Sequence, residues 1–367
     1  MNTDLIPVND LSRWDPSDLS EIKQAMNEVA ESGYFMRGPK NKALEDDLGK
    51  LLNKRNVVCV ANGTDALALA LLSLGIKPDD KIACTPNAGG YGTGAVIRVG
   101  ALPVLIDVEL ETAQMSAEAL ELALVSNPEI RAVLVTHLYG LMANMSQISR
   151  VVEKYGLLLI EDCAQAIGAT QNGVPAGAWG DASTFSFYPT KNLSCIGDGG
   201  AVAFAKIECA ELCRRLSQYG WSERYVIADQ NGINSRLDEI QAAILLYRLK
   251  NLSLNNEIRR SIVKRYSASI DSNRAMIWQD SESYIGHLAV MVSDSRDKDI
   301  ENLMLANIGF GIHYPVLDHM QPAWNRYFSN VELPNSEKLV KSIVTLPCFP
   351  LLKETEIDRI SIALQAL

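Results

Sequence analysis

The chain has 367 residues, a formal net charge of −10 and a hydrophobic content of 47%. This length is large for one domain and suits a large domain joined to a smaller one. The acidic balance and the lack of Lys/Arg-rich blocks argue against a nucleic-acid partner. No run of 18 or more apolar residues occurs, and the polar stretch 1–10 is unlike a signal peptide. We therefore expect a cytoplasmic protein with no membrane partner.

The seven cysteines contain no CxxC pair, and several of them lie inside apolar, strand-like runs. This pattern predicts reduced, mostly buried thiols in a reducing compartment. Cys209 and Cys213 would share one helix face, but no His or further Cys is nearby in the sequence, so packing is the favoured interpretation. The sequence predicts no metal site.

The chain begins with helical periodicity over residues 17–52, broken at 32–39, where two glycines and a proline stand. Apolar β-rich runs then alternate with helical stretches at 65–74, 116–125 and 145–154. The seven predicted strands span 57–61, 81–85, 102–107, 131–136, 157–161, 182–186 and 201–205. This alternation predicts an α/β fold with a mostly parallel seven-stranded sheet that helices cover on both faces.

The pattern changes after Asn234. A long helix predicted at 237–252 continues into 255–271 and suggests a spine between two domains. Beyond it, a strand at 284–293 is mixed with helices at 298–308 and 354–366. The sequence thus predicts a large α/β domain over 1–250, with an N-terminal helical segment, and a smaller α+β domain over 251–367.

One lysine stands on a short connection between two predicted strands. Lys191 follows a strand that ends at a turn containing Tyr188 and Pro189, and glycines at 197–200 precede the next strand. Such a turn can direct the amine into a crevice, where a desolvated lysine loses its proton easily and can form a Schiff base with an aldehyde. For a lone lysine, an exposed loop position is the simpler interpretation, so the decision depends on other features.

Four further features stand at predicted strand ends, where ligands of such sheets bind. Gly63 and Thr64 lie at a strand-to-helix junction that suits a phosphate, although the same residue types serve as helix caps. Asp162 ends a strand and could pair with a pyridine nitrogen, or simply cap a turn. The Ser186 hydroxyl could hold a phosphate oxygen. Asn234 precedes a helix, and an N-cap is its simplest role.

Together these features describe a site for pyridoxal 5′-phosphate, and the motifs resemble the DegT/DnrJ/EryC1/StrS family of nucleotide-sugar aminotransferases. The resemblance runs nearly end to end and keeps motif order. It includes Asn-Gly-Thr-Asp-Ala-Leu at 62–67, Glu-Asp-Cys-Ala-Gln-Ala at 161–166 and Phe-Ser-Phe-Tyr-Pro-Thr-Lys-Asn-Leu at 185–193, with further matches at 32–35, 38–39, 100–107, 137–140, 234–243, 312–315, 319–322 and 346–350.

The resemblance implies fold type I, the aspartate-aminotransferase-like fold, and a set of roles. Lys191 would bind the cofactor aldehyde and move protons, and Asp162 would pair with the pyridine nitrogen. Gln165 would contact the phenolic oxygen of the cofactor, and Gly63, Thr64 and Ser186 would contact its phosphate. The resemblance also implies a homodimer with shared active sites, in which Asn234 of the other subunit contacts the phosphate. His313, Tyr314, His319 and Tyr188 would lie near the sugar or nucleotide.

The chain departs from the family pattern in one loop. Family members usually carry a ring-stacking aromatic in a loop that here contains Gly89 and Gly90. Tyr91 is the aromatic residue left to stack on the cofactor, and the glycines would widen the sugar pocket.

The resemblance implies a two-stage transamination from L-glutamate to the keto group of a nucleoside-diphosphate deoxyhexose, with dTDP the expected nucleotide. The product would be an amino sugar for a surface polysaccharide such as lipopolysaccharide O-antigen, or for a glycosylated metabolite. The alternatives are a sugar dehydratase on the same scaffold, a non-catalytic regulatory homologue and a plain nucleotide-binding module. Dehydratases of this kind replace the lysine by histidine or add a cysteine-held iron–sulfur cluster, so Lys191 and the scattered cysteines argue against that alternative. Lys191 together with Asp162 argues against the regulatory homologue, and a plain nucleotide-binding module leaves Lys191 unexplained.

Overall fold

A computed structural model describes residues 5–53, 55–329 and 331–367, so the first four residues of the polar stretch 1–10 lie outside it. The helices are α1 (Pro16–Ser32), α2 (Pro39–Leu51), α3 (Gly63–Ser73), α4 (Tyr91–Arg98), α5 (Ala117–Ser126), α6 (Met145–Tyr155), α7 (Ile207–Leu216), α8 (Glu239–Leu249), α9 (Leu252–Ser267), α10 (Arg296–Leu305), α11 (Pro334–Ser342) and α12 (Glu354–Gln365). The strands are β1 (Asn56–Val60), β2 (Lys81–Cys84), β3 (Leu102–Leu105), β4 (Ile130–Thr136), β5 (Leu158–Asp162), β6 (Thr170–Gln171), β7 (Val174–Pro175), β8 (Ala182–Ser186), β9 (Gly200–Phe204), β10 (Trp221–Glu223), β11 (Val226–Ile227), β12 (Arg274–Met276), β13 (Ala289–Ser293) and β14 (Ile343–Leu346).

The central sheet has seven strands in the order β1-β9-β8-β5-β4-β2-β3. Strands β8, β5, β4, β2 and β3 pair in parallel, while β9 runs antiparallel to both β1 and β8. Each predicted strand of the sheet is present, which confirms the predicted mostly parallel α/β fold. The carboxyl ends of the parallel strands therefore meet at one edge, where a ligand can contact several of them.

Successive residues of the central strands pack into different cores. Val133 and Val135 of β4 join one buried cluster with α2, α5, α6 and α8, whereas Ala132 and Leu134 join another with α3, α4 and α7. Because side chains alternate across a strand, a strand buried on both faces has a continuous apolar sequence rather than an alternating one. This burial explains why short apolar runs predicted the sheet so well.

The C-terminal region has an antiparallel sheet, β12-β13-β14, and residues of α9, α10 and α12 pack with it in a buried cluster that also includes Ile6, Ala88 and Tyr139. The predicted spine is interrupted, because α8 ends at Leu249 and α9 begins at Leu252. The predicted strand at 284–293 is shorter than expected, since Gly286, with φ of 63°, interrupts the extended backbone ahead of β13. The division at residue 250 stays a prediction.

Every cysteine is free, and all but Cys209 are buried, which confirms the predicted buried thiols. In the part of the chain that the structure describes, no helix combines the length and apolar content that crossing a bilayer requires.

Candidate active site

The lysine lies on a tight turn after β8, as the sequence predicts. The Lys191 backbone N–H donates to the Tyr188 carbonyl at 2.8 Å, which closes the turn over Pro189 and Thr190. Phe187 N–H donates to the Gly199 carbonyl at 2.8 Å, so the chain turns back at once into β9. Burial lowers the pKa of the Lys191 amine, and the nearby Asp162 charge opposes this shift in part. An exposed loop position is thus the wrong interpretation for Lys191.

Asp162 ends β5, next to β8 in the sheet. Its side chain is 5% exposed, and Oδ1 accepts the Ala164 N–H at 3.0 Å. Burial raises the pKa of the carboxyl, while the Ala164 hydrogen bond and the charge of Lys191 lower it. Asp162 therefore caps a turn and also contributes to the cavity that contains Lys191.

The start of α3 leaves backbone donors free for an anion. Asn62 is the N-cap, and its side chain accepts the Asp65 N–H at 2.8 Å. The N–H groups of Gly63 and Thr64 come before Asp65 in the helix and are not bonded by this cap. A Cβ on Gly63 would stand 2.7 Å from the Ser186 Cβ. Glycine is thus required for α3 to approach the end of β8, and this approach brings the Ser186 hydroxyl to the helix N-terminus.

Gln165 connects β5 to the C-terminal region. Its Oε1 accepts the Tyr139 N–H at 2.6 Å, and its Nε2 donates to the Tyr314 hydroxyl at 3.1 Å. The Tyr314 ring packs edge-on to Tyr91, with 6.1 Å between ring centroids. His313 forms a 2.9 Å hydrogen bond from Nδ1 to the Thr345 hydroxyl, and burial lowers the pKa of its imidazole.

A single cavity of about 470 Å³ collects most of the predicted site residues. It is lined by Gly63, Thr64, Tyr91, Asp162, Gln165, Ser186, Tyr188, Lys191, His313 and Tyr314.

Two predicted residues, Asn234 and His319, are not among those lining this cavity. Asn234 is exposed and forms a β-bridge with Gln218. The N-cap of α8 is Asp238, four residues after Asn234, so the N-cap interpretation of Asn234 is wrong. His319 lies 3.5 Å from a Glu337 carboxylate oxygen.

The cavity also contains residues that the sequence did not indicate. One of them, Asp198, follows Lys191 in the same loop, and the others come from distant segments and include Val8, Asn9, His287, Leu288 and Cys348. None belongs to a spacing pattern with a chemical meaning. Only their position in the folded chain assigns them to the site.

A second buried acid lies beside the first and points the other way. Glu161 accepts N–H groups of Gly177, Trp179 and Gly180 at 2.8 Å, and His137 Nε2 lies 3.1 Å from its Oε2. Since His137 Nδ1 accepts the Ala143 N–H, its Nε2 carries the proton and donates to Glu161. Cys163 lies close to both side chains. Four donors satisfy this carboxylate, so the group is structural rather than a metal site.

A buried amine and a buried acid in one cavity, with backbone donors free at a helix N-terminus, can accommodate pyridoxal 5′-phosphate. The chain belongs to the DegT/DnrJ/EryC1/StrS aminotransferase family, whose model matches residues 16–365. It is an aminotransferase, and enzymes of this family depend on pyridoxal 5′-phosphate, which confirms the predicted cofactor.

Three known proteins illustrate the relationship. The chain is 34% identical over 354 residues, 95% of each chain, to the Saccharopolyspora erythraea "Erythromycin biosynthesis sensory transduction protein EryC1". It is 35% identical to the dTDP-3-amino-3,6-dideoxy-alpha-D-galactopyranose transaminase of Aneurinibacillus thermoaerophilus, covering 97% of this chain and 98% of that one. The crystal structure of Bacillus subtilis NtdA with bound cofactor PMP is 29% identical and superposes with a TM-score of 0.92, covering 99% of this chain and 85% of that one.

Proposed function

We propose that this protein transfers the amino group of L-glutamate to the keto group of a dTDP-linked deoxyhexose. The observation that supports the proposal best is the Lys191 amine, whose pKa burial lowers, beside Asp162 in a cavity of about 470 Å³. The donor and the nucleotide follow from the family resemblance and the relative that acts on a dTDP-sugar. We propose a cytoplasmic enzyme that makes an amino sugar for a surface polysaccharide or a glycosylated metabolite.

The cavity residues fit the cofactor at each of its polar groups. Gly63, Thr64 and Ser186 would hold the phosphate with two backbone N–H groups and two hydroxyls, and Asp162 would bind the pyridine nitrogen. Gln165, held by Tyr139, would face the phenolic oxygen. When bound, the cofactor carries the amino group between donor and acceptor and takes up electron density from the reacting carbon.

Lys191 is the proposed proton carrier. Because burial lowers the pKa of its amine, more of it is neutral near pH 7 than of an exposed lysine, and a neutral amine can accept a proton from carbon. Asp162 opposes the shift, and the short turn at Tyr188 limits where the amine can reach. The same group would return the proton in each half of the transamination.

The sugar would contact the C-terminal side of the cavity. Tyr314 and Tyr188 offer hydroxyls, and His313 offers an imidazole whose pKa burial lowers, so it is predominantly neutral near pH 7. Tyr91 would stack on the cofactor ring, and His319 would lie further out towards the nucleotide. We also propose that residues 251–367 form the smaller domain that brings His313, Tyr314 and His319 to the large domain.

The enzyme is proposed to be a homodimer in which Asn234 completes the phosphate site of the partner subunit. Its exposure in one subunit supports this role. In a two-fold dimer each subunit lends the same residue to its neighbour. Mixing inactive Lys191→Ala with a strongly impaired Asn234→Trp variant should restore activity, since some heterodimers regain one intact site. Subunit exchange without any recovery would contradict shared sites.

The test of the reaction separates its two halves. Glutamate alone should convert the cofactor's absorption spectrum and release 2-oxoglutarate, and a dTDP-linked keto-deoxyhexose should then restore the spectrum and yield an amino sugar. The UDP-linked counterpart is the matched control for the nucleotide. A spectrum that glutamate leaves unchanged would refute the donor, and an unaminated dTDP-sugar would refute the acceptor.

A regulatory protein is the second candidate, because one relative is named for sensory transduction. Lys191 and Asp162, both present and close together in one cavity, favour catalysis over this role. Release of 2-oxoglutarate with repeated turnover would decide for the enzyme.

A further inference from the structure

The residue after the lysine is fixed by a buried chain of hydrogen bonds. Asn192 Nδ2 donates to Asn256 Oδ1 at 2.7 Å and to the Ile285 carbonyl at 3.3 Å. Asn192 Oδ1 lies 2.8 Å from His287 Nδ1. Asn256, on α9, in turn donates from Nδ2 to the Ile167 carbonyl at 3.1 Å. The lysine turn is thereby connected to helix α9 and to the segment before β13.

Two backbone carbonyls set the direction of every bond in this chain. A carbonyl can only accept, so the Asn256 amide must direct its NH₂ at Ile167 and its oxygen at Asn192. Asn192 must then direct its NH₂ at Asn256 and Ile285, which leaves its oxygen for His287. That oxygen accepts, so His287 Nδ1 carries a proton and donates.

The imidazole of His287 is neutral and has one free acceptor. Burial lowers its pKa well below the ordinary value, and the nearby cationic groups Lys191 and Arg259 lower it further. With the proton on Nδ1, the lone pair is on Nε2, which has no hydrogen-bond partner within residues 5–53, 55–329 and 331–367. His287 is 6% exposed and lines the same cavity as Lys191.

We propose that His287 is a positioning residue for Lys191, held as the Nδ1–H tautomer by Asn192 so that its Nε2 accepts a hydrogen bond from the lysine amine. This inference rests on the proposed function of Lys191. An acceptor at a fixed place orients the amine when it is not bonded to the cofactor, and so prepares it both for bonding to the cofactor and for taking a proton from carbon.

The tautomer can be measured on the cofactor-free protein. The chain has four histidines, so ¹⁵N-histidine labelling gives few signals, and His287→Asn identifies the signal of interest. We expect a neutral His287 with the proton on Nδ1. His137 is an internal control because its bonds to Ala143 and Glu161 fix the opposite tautomer. A His287 signal with the proton on Nε2, or on both nitrogens at pH 7, would overturn the inference.

A second measurement separates positioning from packing. In His287→Asn, the shorter amide can still donate to Asn192, but the acceptor at Nε2 is lost. We expect the visible band of the lysine-bound cofactor to form about two- to tenfold more slowly when cofactor is added to this variant, as the loss of one hydrogen bond predicts. Glu153→Gln, at an exposed position of α6 outside the cavity, is the control and should form the band at the wild-type rate.

The outcomes distinguish this inference from the function on which it rests. A wild-type rate in His287→Asn, with a normal band, would refute the positioning role and leave the proposed function intact. A wild-type protein that never develops the band would refute the proposed role of Lys191 and the inference with it.

Discussion

Two adjacent acids at the end of β5, Glu161 and Asp162, point to opposite faces of the sheet and differ in how they are satisfied. Glu161 accepts from three backbone N–H groups and from His137. Among the residues that the structure describes, Asp162 has one close donor, the Ala164 N–H, and it lines the cavity that contains Lys191.

Under the proposed function, this difference distinguishes a structural acid from one that binds a ligand. A buried carboxylate with all its donors supplied by the protein stabilises the fold and has no capacity left for a ligand. A buried carboxylate with few donors is costly until a cation approaches it, and the protonated pyridine nitrogen of the cofactor is such a group. The candidate site is therefore indicated by an acid whose hydrogen-bonding capacity is only partly used by the protein, rather than by burial itself.

The largest expected effect comes from removing the amine opposite the unsatisfied acid. Lys191→Ala should lose the visible band of the lysine-bound cofactor and lose turnover, because no other amine lines the cavity among the described residues. Absorption spectra of purified protein with added cofactor provide the measurement. Lys154→Ala, at an exposed lysine paired with Glu121, is the control and should keep the band. A band that survives Lys191→Ala would disprove the assignment.

Asp162→Asn should reduce kcat at least about a hundredfold, which corresponds to about 2.7 kcal/mol of transition-state stabilisation. The cofactor should still bind, because the phosphate contacts remain, but a neutral amide no longer keeps the pyridine nitrogen protonated. Kinetics and cofactor titration give both quantities. Asp198→Asn, at an exposed acid lining the same cavity, should change kcat far less. Near-normal turnover in Asp162→Asn would show that Asp162 only caps a turn.

Glu161→Gln should affect stability rather than chemistry. Each oxygen of the Glu161 carboxylate accepts hydrogen bonds from two donors. In Glu161→Gln the amide NH₂, which cannot accept, must face two of these donors, so we expect a loss of about 3 kcal/mol in the free energy of unfolding. Urea unfolding measures this loss, and kcat per folded molecule should stay within about twofold. Glu153→Gln, at an exposed helix position, is the control. A stable variant with impaired turnover would contradict the structural role.

A third buried acid extends the comparison to pH. Asp318 is 1% exposed, the Thr93 hydroxyl donates to Oδ2, and burial raises the pKa of its carboxyl to about 7. Between its ordinary pKa of 3.8 and 7, the unfolded carboxyl is ionised while the folded one is protonated. Folding therefore takes up a proton, and stability falls as pH rises through this window.

Replacing Asp318 by asparagine should remove this dependence. From pH 5.5 to 7, wild-type protein should lose about 1–2 kcal/mol of unfolding free energy relative to Asp318→Asn. Urea unfolding of both proteins at the two pH values is the measurement. Parallel pH profiles would show that the carboxyl is ionised in the folded protein throughout.

The sheet was predictable because its strands are short apolar runs bounded by turn residues, and Lys191 and Asp162 were predictable because they stand at strand ends. Helix α4 was missed because residues 91–98 include two glycines, which favour a loop, and tertiary packing decides the outcome. The break between α8 and α9 has no proline or glycine to signal it, since Lys250 and Asn251 occupy it.

The remaining site residues could not be found in this way. His287 stands alone in an apolar run, and its meaning arises only from contacts with Asn192, 95 residues earlier in the chain. Asn234 was assigned by resemblance alone, because the local pattern indicated an N-cap that the structure places at Asp238.

The lysine loop, residues 187–199, also bears on the order in which the site forms during folding. It is closed by a direct antiparallel pairing of β8 with β9, in which Ser186 faces Gly200. Closing such a short loop costs little chain entropy, whereas bringing Gly63 or His287 to the lysine requires contacts between segments that are far apart in the sequence. The lysine loop can therefore form early, as a local hairpin, and the phosphate and sugar sides of the cavity would assemble on it afterwards.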